Sequence, residues 1–146
     1  MQCDIFFSLC QASIEGVMPS EAQMLKHFLE QVRLADHLGF KTAWVAESHF
    51  SSQVQQQHLH PVIPKFKGEV GLNTDILQLA HHIFGQTDQI SVGSAIKNIL
   101  CHGGPLSHAE AVKTFLWLKS ASSYVNRELK LGIAGGRFEY MTRPFG

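Results

Sequence analysis

Apolar residues in this chain occur either in short continuous runs or in longer stretches where they recur every three or four positions. Continuous runs are typical of buried β-strands, and the longer spacing is typical of amphipathic helices. Four runs predict strands at residues 5–9, 42–46, 90–95 and 129–134. Three periodic stretches between them predict helices. Strands that alternate with helices favour an α/β fold with a parallel sheet and right-handed crossovers.

The three predicted helices have recognisable ends. Ser20 with Gln23 fits a capping box, and Gly39 fits the left-handed residue that ends the first helix. The second helix is predicted from Thr74 to Gly85, and Ser107 with Glu110 fits a capping box for the third. We expect the apolar residues of each helix to pack on the sheet: Leu25, Phe28, Leu29, Val32, Ala35 and Leu38; Ile76, Leu77, Ala80, Ile83 and Phe84; Val112, Phe115, Leu116 and Leu118.

The second predicted strand is followed at once by three polar residues, Glu47, Ser48 and His49. Parallel sheets and (β/α) barrels bind their ligands at the carboxyl ends of the strands. The three residues are therefore candidates for a functional site. The simpler alternative is a polar loop whose histidine only satisfies a hydrogen bond.

A long connection follows, from about residue 51 to residue 73, and it is rich in glutamine, proline and glycine. A connection of this length in a compact domain is usually a functional lid or lacks fixed structure. The sequence leaves both alternatives open.

Composition excludes several classes of function. The chain has 146 residues, the size of one domain, and its twelve basic residues balance its twelve acidic residues. This balance argues against a nucleic-acid partner. No apolar run approaches the ~20 residues of a membrane helix, so no membrane association is expected. Three separated cysteines and the absence of a basic leader favour reduced thiols and a cytoplasmic location.

Nine histidines raise the alternative of a metal hydrolase built on a barrel. The imidazoles that could contribute are His58, His60, His81, His82, His102 and His108. However, His58 and His60 fall in the long connection, and adjacent residues of a helix, such as His81 and His82, diverge by about 100°. Glu47 is the single carboxylate at a predicted strand end, so we assign no metal ligands from the sequence.

Several ordered motifs resemble the N-terminal half of the bacterial luciferase-like flavin monooxygenases, a family of (β/α)8 barrels. The resemblance covers nearly the whole chain. The matching segments are Ala35-Asp36-x-Leu38-Gly39-Phe40, Trp44-Val45-Ala46-Glu47-x-His49-Phe50, Val92-Gly93-Ser94-Ala95, Ala109-Glu110 and Leu131-Gly132-Ile133-Ala134-x-Gly136.

The resemblance implies a reduced flavin, FMN or the deazaflavin F420, at the C-terminal mouth of the barrel. Glu47, Ser48 and His49 are then the catalytic candidates. The peptide near Ala95-Ile96 is expected to press against the flavin ring, often through a non-proline cis bond. The candidates for cofactor binding are Ser94, Ala95, Ile96, Lys97, Ala134, Gly135, Gly136 and Arg137.

Two positions depart from the family pattern. Many members carry a histidine directly after the glutamate, where this chain has Ser48 and places its histidine one residue later. Because one step along a strand reverses the direction of the side chain, His49 is expected to point away from the flavin. Gly135 stands where the luciferases carry an arginine for the flavin phosphate, and Arg137 is a candidate to replace it.

The implied function is a monooxygenase that uses reduced FMN, delivered by a separate flavin reductase, and O2 to oxidise a small organic substrate. The barrel typically needs ~250 residues, and four strands supply half of it. We therefore expect a single, incomplete domain over residues 1–146. The chain is expected to be a fragment of a longer monooxygenase and to form a homo-oligomer. The alternatives are a pair of copies that completes a barrel, and a flavin-binding or interaction protein without turnover.

Overall fold

The computed structural model describes residues 2–51, 68–136 and 139–145. Within these ranges four parallel strands form one sheet in the order β1-β2-β3-β4. The strands are β1 Ile5–Phe7, β2 Thr42–Ala46, β3 Ser91–Asn98 and β4 Leu129–Ala134. The helices are α1 Glu21–His37, α2 Ile76–Phe84, α3 Gly104–Ser120 and the short α4 Glu139–Thr142, with 3-10 turns at Leu100–His102 and Arg143–Phe145. The predicted α/β order and parallel pairing are confirmed.

The hydrophobic core lies between one face of the sheet and the helices. Ala43, Val45 and Val92 of the sheet are fully buried in the cluster that also holds Val32 and Ile83. The opposite face is more open, and Phe6 is 59% exposed. The continuous apolar run at residues 5–9 predicts a strand covered on both faces, and this prediction is therefore wrong. Successive strand side chains alternate between faces, so packing against Phe7 leaves Phe6 outside this core.

The first helix begins as predicted, with the side chains of Ser20 and Gln23 forming a reciprocal capping box. Gly39 follows it in the left-handed conformation, at φ +82°. Phe28, Val32 and Ala35 are buried, whereas Leu25 and Leu38 at the ends of the predicted apolar stripe are exposed.

The other two helices begin differently from the predictions. Asp75, not Thr74, caps α2 by accepting hydrogen bonds from the backbone of Leu77 and Gln78. The predicted capping box at Ser107 is wrong, because α3 already begins at Gly104 after a left-handed Gly103. Proline at the first turn favours this earlier start, since its missing N–H needs no partner there. Of the predicted α3 stripe, Phe115 is buried and Leu116 and Leu118 are exposed.

The third strand is longer than predicted. It continues to Asn98, and its pairing with β4 is irregular between Ser94 and Lys97. The Ala95–Ile96 peptide bond within this irregular part is cis, as the family resemblance implied.

The described end of the long connection, residues 68–73, packs against the carboxyl ends of two strands. The N–H of Gly71 donates to the Leu9 carbonyl at 3.0 Å. The N–H of Leu72 donates to the Ala46 carbonyl at 2.7 Å, and the N–H of Ser48 donates back to Leu72 at 3.0 Å. These backbone bonds fix the segment beside the end of β2. The rest of the predicted lid or insertion, residues 52–67, lies outside the described residues.

Candidate functional site

The strand register places the predicted site segments at one edge of the sheet. Ala46 pairs with Ala95, so the end of β2 lies beside the irregular part of β3. Asn98 pairs with Ala134, which brings the end of β4 to the same edge. Parallel strands with shared register deliver their carboxyl ends together, which is where this class of fold binds ligands.

Glu47 is the centre of a buried polar cluster at this edge. Its Oε1 lies 2.9 Å from His49 Nε2 and 3.1 Å from His102 Nε2. The backbone N–H of Asn98 donates to the same oxygen at 3.0 Å. The Glu47 side chain is 1% exposed. Three elements of the fold thus converge on a single carboxylate oxygen.

The cluster keeps Glu47 ionised. Burial alone would raise the pKa of its carboxyl group, because a charged group loses its hydration. The hydrogen bonds from His102, His49 and the Asn98 backbone, with the nearby Lys97 charge, outweigh burial and lower the pKa to about 2.

His102 also links Glu47 to a second carboxylate. Its Nδ1 lies 3.4 Å from Asp75 Oδ2, and the same oxygen lies 3.3 Å from the ammonium of Lys97. Lys97 is fully buried. Sequence reasoning assigned neither His102 nor Asp75 to the flavin site, because both reach it from turns distant in the chain. The available signal was their position: Asp75 lies at the start of the predicted second helix, and His102 comes soon after the predicted third strand.

The three catalytic candidates do not share one environment. Glu47 and His49 are buried together, with His49 Nε2 2.9 Å from Glu47 Oε1. The prediction that His49 points away from the flavin stays a prediction. Ser48 lies between them and is half-buried, with its backbone held by Leu72.

The candidates for cofactor binding divide into buried and accessible residues. Ser94 is buried, with its hydroxyl 3.4 Å from the Gly132 carbonyl, and Lys97 is engaged with Asp75. Ile96 is 48% exposed. Ala95, in the irregular part of β3, and Ala134, at the end of β4, are half-buried. Gly135 is exposed, and Gly136 has a φ of +96°. Arg137 lies outside the described residues.

The histidines considered for a metal hydrolase are dispersed, with one exception. His81 Nδ1 contacts the Tyr124 hydroxyl at 3.0 Å, and His82 is exposed on α2. His108 is buried on α3, where burial and the Lys97 and His102 charges lower its pKa. His58 and His60 lie outside the described residues. Within the described ranges, His102 alone of these six reaches Glu47.

Two cavities of the described chain border α1. One of about 260 Å³ is lined by residues that include Phe6, Cys10 and Phe28. Another of about 290 Å³ includes Leu9, Met24 and Asp75. At the edge formed by Ala95, Ile96 and Gly135, a Cβ added at Gly135 would meet no atom within 4 Å.

Parallel strands in chain order, helices on one face and polar groups at the strand ends define part of a (β/α) barrel. The sequence pattern of one barrel family, described as luciferase-like monooxygenases, matches residues 1–115. The chain therefore belongs to the luciferase-like monooxygenase family.

Two solved structures share the fold. One is the oxygenating constituent of 3,6-diketocamphane monooxygenase from Pseudomonas putida, a type II Baeyer-Villiger monooxygenase in complex with FMN. Its TM-score is 0.67 and its sequence identity is 16%, and the match covers 100% of this chain and 32% of that protein. The other is apo-MsnO8, with a TM-score of 0.61 and 24% identity, over 97% of this chain and 35% of that protein. This chain thus spans about a third of each of these structures. No curated protein sequence matches it. None of the helices in the described ranges is both long enough and apolar enough to cross a membrane.

Proposed function

We propose that this chain forms the first four strands of a flavin-dependent monooxygenase that uses reduced FMN and O2 to oxidise a small organic substrate. The observation that carries the proposal is the register that sets Glu47, Ala95-Ile96 and Ala134-Gly135 side by side at the carboxyl edge of the sheet. Family membership supports the class of reaction, and FMN in one structure of the same fold supports the choice of flavin.

The surface at this edge fits a flat aromatic ring. Ile96 offers an exposed apolar side chain, the neighbouring Ala95 is small, and the space around the Gly135 Cα is open. These residues would contact the ring, and Arg137 is the proposed partner of the phosphate. When bound, the reduced flavin supplies the electrons that activate dioxygen.

The protein residues then have supporting tasks. The Glu47 carboxylate stays ionised behind the edge, and the Nε2 atoms of His49 and His102 lie within hydrogen-bond distance of it. Ser48, which is half-buried and lies between Glu47 and His49 in the sequence, is the proposed hydrogen-bond partner near the ring. Lys97 acts through Asp75, since its ammonium is buried against that carboxylate. Such a fixed arrangement keeps charges in place and limits water in the site.

A direct test is titration of the purified chain with FMN, followed by quenching of flavin fluorescence. The variant Ile96→Asp should weaken binding by tenfold or more, since contact with an apolar side chain of this size is worth about 1.5–3 kcal/mol. Leu34→Asp is the matched control, since Leu34 on α1 is 57% exposed, and this change should leave binding unchanged. If Ile96→Asp bound FMN as tightly as the unaltered chain does, this edge would not be part of the flavin site.

Turnover separates the enzyme from a flavin-binding protein. Oxygen uptake would be measured with FMN, NADH and a flavin reductase, with candidate organic substrates added in turn. Substrate-dependent uptake and an oxygenated product are expected of the monooxygenase. Flavin binding without product from either this chain or a longer form of it would leave the non-catalytic alternative.

A further inference from the structure

Glu47 and His49, just after β2, and His102, in the turn after β3, bring their metal-binding atoms close together. One metal-binding atom from each of Glu47, His49 and His102 lies within 4.8 Å of the other two. The two imidazole rings meet edge to face, with 5.0 Å between their centroids. The three side chains are at most 13% exposed.

Hydrogen bonding leaves part of this cluster unused. Both histidines and the Asn98 N–H approach Oε1 of Glu47. The other oxygen, Oε2, is buried and has no hydrogen-bond partner among the described residues. A buried carboxylate oxygen without a partner is unfavourable, because it has lost its hydration with nothing in return. A cation bound by the carboxylate would provide that partner.

We propose that Glu47, His49 and His102 form a binding site for a divalent transition-metal ion, with zinc as the best-matched ion. Two imidazoles and one carboxylate are a common zinc donor set, and a fourth position is then open to water. Ligand bonds of about 2.0–2.1 Å in a tetrahedral site place donor atoms about 3.3 Å apart. The observed separations of 2.9 and 3.1 Å, from Glu47 Oε1 to the Nε2 atoms of His49 and His102, are close to that value. Binding through the unpartnered Oε2 would require the carboxylate to turn toward the ion.

The surroundings of His102 match those of a metal ligand. A ligating histidine usually directs its other ring nitrogen at a carboxylate, which fixes the ring. His102 Nδ1 lies 3.4 Å from Asp75 Oδ2 while Nε2 faces Glu47. Asp75 is itself fixed, since its Oδ1 accepts the Leu77 N–H at 2.6 Å and its Oδ2 lies near Lys97.

The charges also permit a cation. The buried Lys97 ammonium would repel a metal ion, but it is paired with Asp75. The cluster then offers the ion the Glu47 carboxylate and two imidazoles. A bound ion would join the end of β2 to the turn between β3 and α3. The proposed metal site does not depend on the proposed flavin chemistry.

The test is metal binding by the full chain, without flavin, after dialysis against a chelator. Co2+ is the spectroscopic probe, and Zn2+ is measured by competition with a chromophoric chelator. We expect one ion per chain and the visible absorption of tetrahedral Co2+, which Zn2+ abolishes. Absence of stoichiometric Zn2+ and Co2+ binding at micromolar concentrations would overturn the proposal without any variant.

Variants locate the ion. His102→Ala and His49→Ala should each weaken Zn2+ binding by about a hundredfold or more, and Asp75→Asn by about tenfold through the orientation of His102. His82→Ala, an exposed histidine on α2, is the matched control. Glu47→Gln preserves the shape of the side chain, so it tests the site if a histidine variant fails to fold. Binding that survives Glu47→Gln and His102→Ala but is lost in the double variant His58→Ala/His60→Ala would assign the ion elsewhere and overturn the proposal.

Discussion

The backbone N–H of Ile90 donates a 2.6 Å hydrogen bond to the carboxylate of Asp36, 54 positions earlier in the chain. The same carboxylate accepts the N–H groups of Asp88 at 2.8 Å and Gln89 at 2.9 Å. The last turn of α1 therefore holds the turn that leads into β3. Because β3 carries the Ala95-Ile96 edge, this contact helps to position the candidate site.

Asp36→Ala should lower the free energy of unfolding by about 2–3 kcal/mol. The change leaves three backbone N–H groups without their acceptor, and hydrogen bonds to charged groups are among the stronger ones in proteins. Urea unfolding followed by circular dichroism would measure the loss. Glu30→Ala, an exposed change on the same helix, should stay within about 0.5 kcal/mol. A loss no larger than that of the control would show that other contacts hold the turn.

The contribution of Asp36 to the free energy of unfolding should depend on pH. Burial works against ionisation, but the three N–H groups and Arg127 outweigh it and lower the pKa of Asp36 below its ordinary value of 3.8. A carboxyl group with a lowered folded-state pKa stabilises the fold fully above its unfolded-state pKa and loses this effect as pH falls through the folded-state value. The stability difference between the unaltered chain and Asp36→Asn should therefore shrink as the pH falls from about 5, roughly one unit above the ordinary carboxyl pKa, through the lowered folded-state pKa.

Urea titrations of both proteins across that range would measure the effect. Other titrating groups, including Glu47, contribute to both proteins and cancel in the difference. A difference that stays constant down to the lowest pH would mean that the charge of Asp36 contributes nothing to stability.

Arg127 holds the same turn from the carbonyl side. Its Nε donates to the Ile90 carbonyl at 3.0 Å, and its guanidinium also donates to the Thr87 carbonyl at 2.8 Å. Its Cζ lies 5.0 Å from the centroid of the Phe84 ring. Arg127→Lys should cost about 1–2 kcal/mol, since an ammonium cannot reproduce the planar fork of donors. Thermal unfolding would measure it, with Arg33→Lys, an exposed arginine with one side-chain bond, as the control. If Arg127→Lys and Arg33→Lys lowered the stability equally, the contacts of Arg127 would not hold this turn.

The sequence predicted the elements whose signals are local. The bounds of β2 and β4 and the capping box of α1 agree with the structure, because apolar runs and caps depend on neighbouring residues. The start of α3 was wrong, since Ser107 with Glu110 fits a cap equally well but Gly103 and Pro105 begin the helix earlier. Leu38, Leu116 and Leu118 were expected to be buried, yet an apolar stripe does not show how much of it the sheet covers.

The candidate site was predicted only in part, because only some of its residues have local signals in the sequence. Glu47 and His49 follow a strand directly, so their position at its end was readable. His102 and Asp75 reach Glu47 and each other through the packing of separate turns, which no spacing in the sequence expresses. Asp36 gave a subtler signal, since an acidic residue in the last turn of a helix opposes the helix dipole and so indicates a specific partner.

Gly93 is required beneath the indole of Trp44. A Cβ built on Gly93 would lie 2.3 Å from Trp44 Cε3, and the two residues are paired between β2 and β3. The indole is held on its other sides, since its Nε1–H donates to Asp4 at 2.9 Å and the Lys130 ammonium lies 6.0 Å from its ring centroid. Gly93→Ala must therefore displace the ring or separate the strands.

The substitution Gly93→Ala should lower the free energy of unfolding by about 1–3 kcal/mol, the usual cost of overpacking. It should also shift the fluorescence of Trp44 to longer wavelength as the ring becomes more exposed. Trp117, the second tryptophan, is 69% exposed, so both proteins would be compared in a Trp117→Phe background. Gly135→Ala is the control, because an added Cβ there meets no atom within 4 Å. If Gly93→Ala matched this control in both stability and emission, Trp44 would not lie over Gly93 in solution.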